Sequence, residues 1–111
     1  MSISHFLDYI NKEKKYSPHT FLAYQKNLFD FQNYCFENFT LETIDKVEYN
    51  HIRSWIISLV ELKNSNRTIN RKISVLRSYY KFLLKTETIK SSPLKLHKPL
   101  KASKKVNVPF S

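Results

Sequence analysis

Apolar residues along this chain recur at steps of three and four, and the pattern predicts a bundle of helices. Ile3, Phe6, Leu7 and Ile10 mark a short amphipathic helix over about residues 3–14, with Ser2 or Ser4 as its N-cap. Ser17 and Pro18 then suit the N-cap and first position of a second helix. Phe21, Tyr24, Leu28, Phe31 and Cys35 form its apolar stripe, and Leu22, Phe29 and Phe36 widen that stripe, which predicts the most buried helix of the fold. The opposite strip of His19, Thr20, Ala23, Lys26, Asn27 and Asp30 is left for a partner. A third helix is expected to open at Asp45, whose carboxylate would cap amides near Glu48, and to turn Val47, Ile52, Trp55, Ile56 and Leu59 inward. It ends at Asn64, the best left-handed residue available where glycine is missing.

The fourth helix has the clearest organisation. Ser65 caps it, and Ile69, Ile73, Leu76, Tyr80 and Leu83 share one stripe. Arg67, Arg71, Ser74, Ser78, Lys81 and Lys85 step by four and three along the other face, flanked by Asn70 and Arg77. After a possible short turn, Ser91-Ser92-Pro93 and Pro99 interrupt regular structure. The expected division is a helical domain over residues 1–94 and a basic linker over 95–111, which holds five lysines and no acid.

The charge distribution sharpens this picture. Residues 1–62 hold six Lys/Arg against eight Asp/Glu, whereas 63–111 hold thirteen against one, Glu87. A half with a net charge of +12 calls for a polyanionic partner, nucleic acid or an anionic surface. On the fourth helix the cations are mixed with Ser, Thr and Asn, side chains that hydrogen-bond to phosphates and base edges, whereas mere solvation would be served as well by Lys and Glu.

At 111 residues and 41% hydrophobic, the chain suits one domain with its own core. It contains no glycine, which excludes the P-loop, the dinucleotide fingerprint and the nucleophile elbow, since each needs backbone that only glycine permits. His5, His19, His51, His97 and Cys35 have no metal-ligand spacing, so neither a metal nor another cofactor is expected. Cys35 reads as a buried, inert thiol, and the tyrosines as core packing with no base beside them. No apolar run suits a signal peptide or membrane span, so the expected setting is the reducing cytoplasm, and the two N-x-T sequons at Asn38 and Asn66 are chance matches.

Two segments carry a family resemblance. Ser17-Pro18-His19-Thr20-Phe21-Leu22-Ala23-Tyr24-Gln25-Lys26-Asn27-Leu28 and Arg67-Thr68-Ile69-Asn70-Arg71-Lys72-Ile73-Ser74-Val75-Leu76-Arg77-Ser78-Tyr79-Tyr80-Lys81-Phe82-Leu83 together resemble the N-terminal core-binding domain of the tyrosine recombinases, the Xer and phage integrase family. The stretch from Ser92-Pro93 through Lys98-Pro99 to Val108-Pro109 is similar to that family's interdomain linker.

The resemblance implies an all-α, SAM-like bundle of four to five helices. It would be one jaw of a clamp on double-stranded DNA, with helices two and four toward the major groove of a recombination half-site. It places DNA contacts at Arg67, Thr68 and Arg71 and at His19, Thr20 and Ala23. Lys26, Asn27, Asn70, Ser74, Arg77 and Lys81 join them as candidates because they share the same helix faces. The family's chemistry, a tyrosine attacking a DNA phosphate among arginines, a lysine and a histidine, resides in a second domain. Its Arg, His-x-x-Arg and Tyr motifs are not in this sequence, so the expectation is a fragment without catalytic residues, which meets other protomers through the full-length protein. Relatives often place glycine near the end of helix four, where this chain reads Lys85-Thr86-Glu87-Thr88.

Two other readings compete. A helical bundle also serves as a protein-interaction module, its basic face incidental, because fold does not fix function. A peripheral membrane domain ranks last, since the apolar stripes are used for the core.

Overall fold

A computed structural model of the chain describes residues 2–14 and 16–95. It contains four helices and, among the described residues, no strand: α1 (Ser2–Lys12), α2 (Pro18–Phe39), α3 (Tyr49–Glu61) and α4 (Asn66–Lys85). The expected linker over 95–111 lies outside the described residues apart from Lys95.

α4 is the central element and touches each of the other helices, while α1 and α3 each pack on α2 and α4 without meeting. It buries Ile69, Ile73, Val75, Leu76, Tyr79, Tyr80 and Leu83, nearly half its girth. Phe6 sits where three helices converge, its ring 5.4 Å from Tyr79, 5.5 Å from Phe82 and 6.2 Å from Tyr24. On the other side Phe31 of α2 packs against Trp55 of α3 at 4.9 Å. Leu94, beyond α4, is also buried in the core.

The expectation that α2 is the most buried helix is corrected. Leu28, Phe31 and Cys35 are fully enclosed, but Leu22, Phe29 and Phe36 are 58%, 38% and 57% exposed. They form a second line on the helix surface, seven residues apart, turned away from the neighbours that cover the first. Periodicity groups residues by face and is silent on how many faces find a neighbour.

The start of α3 is corrected as well. Asp45 does not open it; its carboxylate accepts a hydrogen bond from the Tyr79 hydroxyl on α4. The helix begins four residues later, where Glu48 is the N-cap and its backbone N–H donates to Nδ1 of His51 at 3.0 Å. The adjacent Tyr80 hydroxyl donates to the Ile44 carbonyl at 2.7 Å. Two neighbouring tyrosines of α4 thus hold the α2–α3 connection, and buried Ile44 and Val47 seal it.

At the end of α3 the left-handed residue is Lys63 (φ 67°), not Asn64. Asn64 contributes differently, its side-chain amide donating to the Leu59 carbonyl at 3.1 Å. Thr40 (φ 59°) and Glu87 (φ 61°) take the same left-handed role after α2 and α4.

Candidate nucleic-acid interface

α2 and α4 start in the same way. Ser17 accepts from the Thr20 amide at 3.2 Å and donates to its hydroxyl at 3.0 Å; Ser65 does the same with Thr68 at 3.1 and 3.0 Å. Each cap satisfies one of the amides that a helix start leaves free, and fixes where the first turn points. From these starts His19, Ala23 and Lys26 stand exposed on one face of α2, and Arg67, Arg71, Ser74, Arg77 and Lys81 stand exposed along α4.

The helices are tied where Lys72 of α4 donates to Oδ1 of Asn27 on α2 at 3.1 Å. One residue back along each helix from that contact lie the exposed Lys26 and Arg71. Asn27 itself is buried and engaged there, which removes its side chain from the open surface on which the sequence had it. Thr20, Thr68 and Asn70 are half-buried, the two threonines within their caps, and the Asn70 carbonyl accepts from the Ser74 hydroxyl at 3.0 Å.

The cations differ in their pairing. Lys26 forms an exposed ion pair with Asp30 at 3.3 Å. Among the described residues Arg67, Arg71, Arg77 and Lys81 pair with no carboxylate. A row of unpaired arginines along one helix is a concentrated positive potential that an anion would neutralise.

The sequence reading missed one cation. Lys14, in the break after α1, projects over the Tyr9 ring at 5.9 Å, and Lys85 Nζ lies 5.2 Å from the same ring. Lys85 was legible as the end of the α4 stripe, but nothing local in the sequence joins Lys14 to it.

Among the described residues no group of three or more His, Cys, Asp or Glu is placed to hold a metal, and no helix is long and apolar enough to cross a membrane. Cys35 lies fully enclosed, and burial pushes its thiol up to about 12.

Residues 3–87 match the family described as phage integrase, N-terminal SAM-like domain. The chain belongs to that family. Its relatives are named tyrosine recombinases. This SAM-like domain is 39% identical over 88 residues to tyrosine recombinase XerC of Listeria monocytogenes serotype 4a, a match covering 79% of the chain and 29% of the relative. It is 33% identical over 104 residues to XerC of Halalkalibacterium halodurans, covering 94% of the chain and 34% of the relative. With tyrosine recombinase XerD of Rickettsia bellii the identity is 36% over 92 residues, 83% of the chain and 30% of the relative. The SAM-like domain thus spans about a third of the length of the curated relatives it matches. No solved structure matches it.

Proposed function

We propose that this SAM-like domain grips duplex DNA for a tyrosine site-specific recombinase, laying the exposed faces of α2 and α4 toward the major groove of a recombination half-site. The observation that carries the reading is the row of carboxylate-free cations, Arg67, Arg71, Arg77 and Lys81, on a helix tied beside Lys26 through Lys72 and Asn27. His19, Thr20 and Ala23 on α2 and Thr68, Asn70 and Ser74 on α4 complete the footprint as short side chains at close approach. Asn27 acts within the seam. Strand breakage and rejoining in the cytoplasm belong to the catalytic part of such a recombinase, protomers meet through the full-length protein, and this domain contributes binding and register.

The test is equilibrium binding to random duplex DNA across a salt series. If about five phosphates are neutralised, the logarithm of the binding constant falls with the logarithm of salt at a slope of about −4 to −5. Binding indifferent to salt, or absent at low salt, would overturn the proposal.

One observation favours a second reading, a protein-interaction module. Leu22 and Phe36 are more than half exposed in line with Phe29, and Gln32 beside them has a buried Oε1 with no hydrogen-bond partner among the described residues. A folded protein that ignores random duplex DNA at low salt is the outcome that module predicts.

A further inference from the structure

A cleft of about 600 Å³ opens between the end of α1, the residues that follow it and the last turns of α4. Its floor is aromatic. Phe6, Tyr9, Tyr16 and Phe82 line it, with the Tyr9 and Phe82 rings 5.0 Å apart. Its rim is basic, because Lys14, Lys81 and Lys85 line it together with Ser78 and, among the described residues, no Asp or Glu does.

Two of those ammonium groups share one ring. Lys85 Nζ lies 5.2 Å and Lys14 Nζ 5.9 Å from the Tyr9 centroid, within the range of a cation–π contact. Both lysines line the one cleft, and among the described residues neither forms an ion pair with a carboxylate. The negative end of α4 accounts for a lysine at position 85 but for neither Lys14 nor Lys81. Burial first, then Tyr24, raises Tyr16 above its ordinary value, and its hydroxyl is engaged with Tyr24. Three cations, the Ser78 hydroxyl and an apolar floor that weakens solvent screening make a site for an anion.

We propose that this cleft takes a phosphodiester of the DNA backbone, a second anchor at the far end of α4 from Arg67 and Arg71. The inference rests on the reading of the domain as a DNA-binding unit, and helix geometry supplies the register. Lys85 lies about 27 Å along α4 from Arg67 at 1.5 Å per residue, more than twice the major-groove width of about 12 Å. With its first turns in the groove, α4 therefore carries its last turn out over the flanking strand. There the bases are out of reach and the phosphates are not. Lys14 reaches the same point from the other wall, so a backbone phosphate would be held between α1 and α4 rather than by α4 alone. Such an anchor is blind to sequence and fixes how far the helix slides along its own axis.

The experiment compares fluorescence anisotropy of a labelled random duplex with the wild type and four double variants across a salt series. Lys14→Gln with Lys85→Gln removes the anchor. Lys46→Gln with Lys90→Gln makes the same charge change at exposed lysines beside a different hollow, and Arg67→Ala with Arg71→Ala probes the α4 start. The expected result is a salt slope shallower by about one to two for the Lys14/Lys85 variant, with affinity at moderate salt down about tenfold, and a slope near wild type for the Lys46/Lys90 control. Replacing Lys14 and Lys85 by Arg keeps the wild-type slope. A Lys14→Gln, Lys85→Gln variant that behaves like the control overturns the cleft as an anchor and leaves the DNA-binding reading intact. A wild type that does not bind duplex DNA overturns both.

Discussion

Lys72 Nζ on α4 donates to Oδ1 of Asn27 on α2 at 3.1 Å, across a half-buried seam between residues 45 positions apart in the chain. The bond joins the two helices that carry the candidate interface, so it bears on stability and binding together. Asn27→Ala leaves the lysine without its acceptor, and Lys72→Met strands the amide; each is expected to lower stability by about 1–3 kcal/mol. Thermal melts of the singles and of the Asn27→Ala, Lys72→Met double measure the coupling. A double no more stable than the two single losses added together would mean that the bond contributes nothing specific.

Arg67 and Arg71 lie one turn apart on the exposed face of α4, and their roles are separable by experiment. An arginine bidentate to guanine discriminates by about 1–3 kcal/mol between a cognate half-site and scrambled DNA, whereas a phosphate contact weakens all sequences alike and lowers the salt slope by about one. Single Arg→Ala variants are expected to fold, as judged by circular dichroism, and to lose affinity in one of these two ways. Folded variants that bind both DNAs as the wild type does would move the contact surface off the start of α4.

Alkaline pH offers a test of the core. The Cys35 thiol is raised from 9.0 to about 12 by burial, so the fold holds it neutral. The stability it contributes is complete below the unfolded value and is lost as pH rises from there through the folded value. Tyr80, raised well above 10.0 by burial first and then by Tyr79, Cys35 and Asp45, acts with the same sign from a higher starting point. The urea midpoint is therefore expected to hold to about pH 8 and to fall from about pH 9. Cys35→Ala, less stable at the outset, should begin its fall only near pH 10, where Tyr80 takes over. A thiol reagent that labels the native protein as fast as the urea-unfolded chain would contradict the burial.

The hydroxyl of Tyr80 can be tested by removal. Tyr80→Phe keeps the ring and deprives the buried Ile44 carbonyl of its donor, at an expected cost of about 1–3 kcal/mol. Tyr79→Phe frees the half-buried Asp45 carboxylate, which has better access to water, and should cost less. Melting temperatures in the reverse order would reassign which tyrosine holds the α2–α3 connection.

What the sequence made legible follows the range of the interactions concerned. The starts of α2 and α4 were readable because Ser17 with Thr20, and Ser65 with Thr68, complete their caps within four residues. The start of α3 was misread because Asp45 spends its carboxylate on Tyr79, 34 positions away, and no local rule anticipates that. Asn27 looked like surface for the same reason: a polar residue on a polar strip is buried only because Lys72 arrives to satisfy it. The stripe of Leu22, Phe29 and Phe36 shows the limit of periodicity, since three helices cannot cover every side of the fourth. Of the candidate site, the α4 row and the α2 face were visible, while the meeting of Lys14 with Lys85 over Tyr9 needed the fold.

A chain without glycine has to end its helices on residues that resist the left-handed turn, and here Thr40, Lys63 and Glu87 do so at φ of 59°, 67° and 61°. The β-branched Thr40 is the least suited of the three. Left-handed backbone costs an ordinary residue about 1–2 kcal/mol, and the looser unfolded chain that glycine brings offsets about 0.4–1 kcal/mol of any relief. Each helix exit therefore holds a small unclaimed margin of heat resistance. All three positions follow their helices and lie outside the exposed row from Arg67 to Lys81. Adaptation of this domain to a warmer habitat could begin at these three joints and leave the surface it offers to DNA as it is.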